Sequence, residues 1–146
     1  MTRDPGAAPE LVVMVGVPGC GKSTWVAEHL AATHAVVSKD HWPNARHREL
    51  RQRRMVDELL AAGRSIVVDN TNPTPADRAS LIESARAHGV PARAVHVDAP
   101  LEVCLARNAA REGRGRVPER AVLSIHRRLV PPSVAEGFQR VDVVRG

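Results

Sequence analysis

Short runs made only of apolar residues recur along this chain, separated by longer stretches in which apolar and polar positions interleave. The first run is Leu11-Val12-Val13-Met14-Val15. A run without a polar position fits a strand covered on both faces, the condition of a strand inside a parallel sheet. Ala35–Val37, Ile66–Val68, Ala92–Val97 and Val141–Val144 repeat the signal. The intervening stretches predict helices over residues 23–32, 44–62, 77–88, 101–111 and 118–130. Gly63 and Gly89 supply stops for two of them. Pro118 sits where a first helical turn tolerates proline, and Pro131-Pro132 ends that helix. Strand and helix alternate throughout, which predicts an α/β fold: an open parallel sheet of about five strands with helices on both faces. Residues 1–9 are polar and rich in Pro and Gly and read as a flexible tail, leaving 10–146 as one domain. Ligands of such sheets bind beyond the carboxyl ends of the strands, so the residues after each apolar run carry the chemical interest.

After the first run comes Gly16-Val17-Pro18-Gly19-Cys20-Gly21-Lys22-Ser23, a full match to G-x-x-x-x-G-K-[ST]. It follows a strand and opens a helix, the context a phosphate-binding loop requires. Glycines let backbone N–H groups turn inward around phosphate oxygens, and the helix N-terminus adds partial positive charge. Lys22 reaches β- and γ-phosphates as a point charge, and Ser23 offers its hydroxyl to Mg²⁺. Gly16, Pro18, Gly19, Cys20, Gly21, Lys22, Ser23 and Thr24 are thus the candidate nucleotide-binding set. Cys20 reads either as a small filler residue or as an oxidation-sensitive one.

Three further clusters follow later strands. Ser38-Lys39-Asp40 places a carboxylate just past the second run, where it serves either as a base facing the γ-phosphate or as a turn cap. Asp69 ends the third run in the Walker B manner, as a carboxylate that orients Mg²⁺, normally through water. Asn70, Thr71 and Asn72 add short polar side chains there, and Asn72-Pro73 reads equally as a plain turn. Arg107 and Arg111 are four apart, on one face of a predicted helix ahead of the basic loop Gly113–Arg116. Over the phosphates they act as lid arginines; otherwise they form a solvated basic face.

Composition narrows the partners. The chain has 146 residues, room for one such domain. Aromatics are confined to Trp25, Trp42 and Phe138, which excludes a nucleic-acid reader built on a stacking platform. No apolar run nears the roughly 18 residues of a membrane span, so no membrane partner is expected. Cys20 and Cys104 form no cluster, and the histidines show no ligand spacing. A reduced, cytoplasmic setting is the expectation. Arg supplies 19 of the 21 cations, and the only lysines are Lys22 and Lys39.

Four blocks together resemble the P-loop kinase domain of the polynucleotide 5′-hydroxyl kinases, including the kinase half of polynucleotide kinase–phosphatase. They are GVPGCGKSTW, VSKD, VVDNTNP and RNAAREGRGRVP, with PPSVAEGF near the end also similar. The likeness runs from about Leu11 to Val144. It implies a P-loop kinase-type fold with a helical arginine lid over about residues 107–130, and ATP and Mg²⁺ as cofactors. It implies that Lys22 and Ser23 hold ATP and Mg²⁺, that Asp40 is the general base, and that Asp69 supports the metal or the acceptor. Arg107 and Arg111 become lid arginines on the ATP phosphates, Arg111 the more essential. One position departs: phage-type enzymes place an acceptor-phosphate arginine three residues after the base, where this chain has Pro43. Arg46 and Arg48 are the candidates to replace it. Residues 131–138 are the candidate adenine contact.

The expected activity is transfer of the ATP γ-phosphate to the 5′-hydroxyl end of DNA or RNA. The alternatives are a small-molecule kinase of the same fold, for a sugar, nucleoside or antibiotic hydroxyl, and a nucleotide-binding regulatory ATPase. Relatives of this resemblance often carry a phosphatase or ligase, for which 146 residues leave no room, so end repair is expected to call on separate enzymes. Charge placement bears on the acceptor. The formal net charge is +5, yet residues 46–54 alone carry +4 and residues 107–128 carry +5. The 46–54 arginines share no single helical face, which predicts a helix whose first half projects beyond the sheet beside Asp40.

Overall fold

The structure is a computed structural model that describes residues 8–43 and 46–146. Most of the expected tail, and the expected helix start at Asn44, lie outside those residues. Five strands, β1 (Leu11–Val15), β2 (Ala35–Val37), β3 (Ile66–Val68), β4 (Ala92–Asp98) and β5 (Arg140–Arg145), form one sheet in the order β2-β3-β1-β4-β5. Every pairing is parallel, with Leu11 opposite Ile66 on one side and Ala92 on the other. The chain steps from β1 to one side and later returns to the other, which opens a crevice at the carboxyl end of β1.

The unbroken apolar runs have the expected cause. All of β1 is fully buried. Its alternate residues Leu11, Val13 and Val15 face a core with Val56 and Leu60 of α2 (Arg48–Ala61) and Leu81 and Ile82 of α3 (Pro75–Ala87). Val12 and Met14 face a second core with Val26 of α1 (Lys22–His29), Cys104 of α4 (Leu101–Ala109) and Val122 of α5 (Glu119–Arg128). Period-two side chains thus meet a helical layer on each face.

Helix ends differ from expectation where side chains intervene. α3 starts at Pro75, not Asp77, because Thr74 and Asp77 form a reciprocal capping box. α2 starts at Arg48, after His47 in a left-handed conformation. Its first half lies beside residues past the carboxyl ends of β2 and β3, with Arg48 bonded to Lys39 and Gln52 to Asn70. Its second turn already buries Gln52, and its arginines diverge around a packed helix. α4 stops at Ala109, so Arg107 and Arg111 do not share a helical face. The cause is Asn108, whose amide side chain donates to the Val117 carbonyl at 2.6 Å and accepts from the Val117 N–H at 2.9 Å. That clamp turns the chain, and Gly113–Gly115 settles into a 3₁₀ turn rather than an open loop.

Candidate active site

The glycine loop leaves β1 stitched to its neighbour: the Gly16 N–H donates to the Thr71 carbonyl at 3.1 Å. Gly16 has no room for a side chain, since a methyl would stand 2.6 Å from Cys20 Sγ and 2.9 Å from the Val97 carbonyl. Gly16 borders none of the three cavities described below; it shapes the loop from beneath. Gly19 and Gly21 take φ of +86° and +101°, open only to glycine at low cost. At Gly19 a methyl would also run into the Cys104 carbonyl of α4, so loop and α4 are packed backbone to backbone.

Lys22 opens α1 and is buried, its Nζ donating to the Val17 carbonyl at 3.1 Å with Cys20 Sγ at 3.7 Å. Cys20 is fully buried in the core below, a packing role. The Ser23 hydroxyl donates to Asp69 Oδ2 at 2.8 Å. Two hard oxygen donors, one from the first turn of α1 and one just past β3, therefore already meet, which suits an oxygen-seeking cation such as Mg²⁺.

A cavity of about 590 Å³ gathers Lys22, Ser23, Asp40, Asp69, Arg48 and Arg111, from five separate segments. Asp40 sits in a short 3₁₀ turn, Lys39–His41, and is exposed. Arg111 reaches this cavity from beyond α4, with its Nη1 donating to the Gly115 carbonyl at 3.3 Å. Thr24 and Arg107 fall elsewhere. They border a second cavity of about 290 Å³ with Trp25 and Gly21, into which Arg111 also extends. Arg107 Nη1 donates to the Cys20 carbonyl at 3.4 Å, across the back of the loop.

The two acceptor candidates separate as well. Arg48 lines the main cavity, while Arg46 lines a groove of about 490 Å³ along α2 with Arg51 and Arg54. Arg51 lies over the Trp42 ring, 4.8 Å from its centroid. Asn72 resolves to a structural turn. Its φ is +43°, its side chain donates to the Met14 carbonyl at 2.9 Å, and it is buried. Residues 131–138, the candidate adenine contact, line neither of the two cavities beside the loop. Phe138 is 2% exposed in the core against α3, and Gln139 bonds to Ala92 at the amino end of β4, across the sheet from the loop. The second cavity is instead the space open beside the loop.

Sequence reading missed Gln52 and Asn108 as site-shaping residues and named Asn70 only as a short polar side chain at the sheet edge. Each had a weak signal: an uncharged amide inside an arginine-rich helix, a polar residue beside Asp69, and an Asn between the lid arginines.

Comparison with known proteins agrees with this architecture. Residues 11–132 match the family described as AAA domain. A bifunctional polynucleotide phosphatase/kinase of Schizosaccharomyces pombe is 32% identical over 92% of this chain. The chain spans only about a third of that relative's length, 33%. A sugar kinase from Janibacter sp. superposes with a TM-score of 0.67 at 20% identity, covering 94% of this chain and 85% of that one. Kti12 of Chaetomium thermophilum, solved with ADP-AlF3, superposes at 0.64 and 16% identity, covering 92% and 88%. A parallel 2-3-1-4-5 sheet, a complete phosphate-binding loop and a family match across most of its length make this chain a member of the AAA-domain family with the fold of a P-loop kinase.

Proposed function

We propose that this P-loop kinase phosphorylates the 5′-hydroxyl end of DNA or RNA, with ATP as donor and Mg²⁺ as cofactor. The observation that carries the reading is the single cavity that collects Lys22, Ser23, Asp40, Asp69, Arg48 and Arg111. A carboxylate opposite a phosphate loop is what separates a kinase from a plain nucleotide binder. Lys22 and the loop amides hold the β- and γ-phosphates. Ser23 and Asp69 would hold Mg²⁺, which when bound offsets charge on the phosphate oxygens. Asp40 accepts the proton of the acceptor hydroxyl. The acceptor oxygen bonds to the γ-phosphorus as the bond to the β–γ bridging oxygen breaks, and ADP leaves. Arg111 neutralises charge moving onto the leaving group. Arg107 packs on the loop from the side of the second cavity and steadies it.

The polynucleotide acceptor is supported by the relatedness to a polynucleotide phosphatase/kinase and by the arginines of α2 beside the cavity. The test is transfer of labelled γ-phosphate from ATP to 5′-hydroxyl oligonucleotides, run beside a panel of sugars and nucleosides. Transfer to oligonucleotide ends is expected; transfer only to small alcohols would reassign the acceptor. Asp40→Asn is expected to lower turnover by roughly 10²- to 10⁴-fold while ATP still binds. Normal turnover in that variant would remove Asp40 as the base.

A further inference from the structure

The turn that carries Asp40 is gripped from both sides, by Asn70 with Gln52 behind it and by Arg48, which also lines the cavity. The Lys39 N–H donates to Asn70 Oδ1 at 3.0 Å, and Asn70 Nδ2 donates in turn to Gln52 Oε1 at 2.7 Å. On the other side of the same residue, Arg48 Nη1 donates to the Lys39 carbonyl at 3.3 Å. The Ser38 hydroxyl accepts from the Asp40 N–H at 3.2 Å and donates to Asn70 Oδ1 at 3.5 Å. The Lys39 ammonium pairs with Glu49 of α2. Asn70 therefore stands between the Asp69 metal-side carboxylate and the Asp40 turn. Gln52, 5% exposed, braces its amide from the other side.

The chemistry of that arrangement is specific. The Lys39 N–H can only donate, so it takes the Asn70 oxygen, and the Asn70 NH₂ is left to donate to Gln52 Oε1, which holds the amide from its far side. The backbone around Asp40 is thus over-determined while its carboxylate lines the cavity. A base must sit within hydrogen-bond reach of the proton it takes, and a misplacement of about 1 Å costs as much as 10²-fold in rate.

We infer that Gln52 and Asn70 form a two-amide relay that positions the Asp40 turn against the phosphate side of the cavity, anchoring it to α2. This rests on reading Asp40 as the base. The two claims part in the test. Gln52→Leu removes the acceptor at similar volume, Gln52→Glu keeps an acceptor oxygen, and Asn70→Ala cuts the relay. With ATP and a 5′-hydroxyl oligonucleotide, Gln52→Leu and Asn70→Ala are expected to lower kcat by roughly 10- to 100-fold with KM for ATP unchanged, and Gln52→Glu to recover most of the rate. Hydrogen exchange at the Lys39 amide is expected to quicken by about tenfold in Gln52→Leu and Asn70→Ala and to stay slow in Asp40→Asn. Urea midpoints confirm that each variant is folded. Unchanged Lys39 exchange in folded Asn70→Ala overturns the relay, as does wild-type kcat in Gln52→Leu. If Asp40→Asn turns over normally, the base assignment falls while the exchange data still decide the relay. If no oligonucleotide is phosphorylated at all, the acceptor assignment falls and the Lys39 amide remains the arbiter.

Discussion

Gly19 shows how much a single position in the phosphate loop must satisfy. It needs φ of +86°, and it needs the absence of Cβ so that the Cys104 carbonyl of α4 fits against it. Gly19→Ala is expected to weaken ATP-analogue binding by more than about tenfold in a fluorescence titration, since the loop must leave α4 to accept the methyl. Gly63→Ala is the matched control. It too has positive φ, +76°, but nothing lies within 4 Å, so it is expected to cost about 1 kcal/mol and leave ATP binding intact. The loop was legible from sequence because its chemistry is local: eight consecutive residues dictate a backbone that donates N–H groups. Gln52 and Asn70 were not, because they are 18 residues apart and meet only when α2 docks beside β3.

Two elements owe their geometry to a buried polar group rather than to periodicity. Arg78 of α3 is fully buried and holds Glu136 through two bonds, Nε to Oε1 at 2.8 Å and Nη2 to Oε2 at 3.0 Å, with Nη1 donating to the Asn72 carbonyl at 2.9 Å. Glu136→Ala is expected to cost about 3–5 kcal/mol in urea denaturation, because it leaves a buried guanidinium without its partner. A loss under about 1 kcal/mol would mean that water reaches Arg78. The other element is the turn after α4. Asn108→Ala removes both bonds to Val117 and strands two backbone groups, so local opening of residues 109–117 is expected to become easier by about 1–3 kcal/mol. Hydrogen exchange at Val117 measures it directly, and KM for ATP should rise because Arg111 depends on that turn. These same groups explain the boundary errors. Periodicity over 101–111 gives no sign that an amide at Asn108 ends the helix early.

At the scale of the whole molecule, charge is distributed by task. At the amino edge of the sheet, Glu10 accepts from Arg93 of β4 at 2.9 Å and bonds His34 at 2.7 Å, tying together the approaches to β1 and β2 and the body of β4. Those contacts, the His34 hydrogen bond first and then Arg93, hold the Glu10 carboxyl down at about 2 from an ordinary 4.5. A depressed carboxylate stabilises the fold fully above its unfolded pKa and loses that contribution as pH falls through the folded one. The stability gap between wild type and Glu10→Gln is therefore expected to be full at neutral pH and to close between about pH 4.5 and 2, read from urea midpoints. A gap that does not change with pH would remove Glu10 as the source. At the opposite edge, Arg48 faces the cavity while Arg46, Arg51 and Arg54 line the α2 groove. If these groups meet acceptor phosphates, oligonucleotide binding should weaken steeply with salt, and Arg51→Ala should flatten the slope by about one counterion. A neutral small acceptor would show no such slope.

What the sequence alone determined is whatever depends on neighbours along the chain. Uninterrupted apolar runs made strands that had to be covered on both faces. A G-x-x-x-x-G-K-S segment after the first of them made a phosphate loop at the sheet's carboxyl edge. Asp40 and Asp69, each just past a later strand, had to arrive at the same edge because parallel strands point the same way. Tertiary structure decided everything that depends on which side of an element faces which partner. It sent Arg48 into the cavity and Arg46 away from it, and let Arg111 reach both cavities beside the loop while Arg107 borders the second. It made Asn72 a buried turn and Asn70 a hinge point between two catalytic candidates. Side chains such as these take their roles from contacts that span tens of residues, and a hydrogen bond between an amide and a distant carbonyl leaves no periodic trace in the chain.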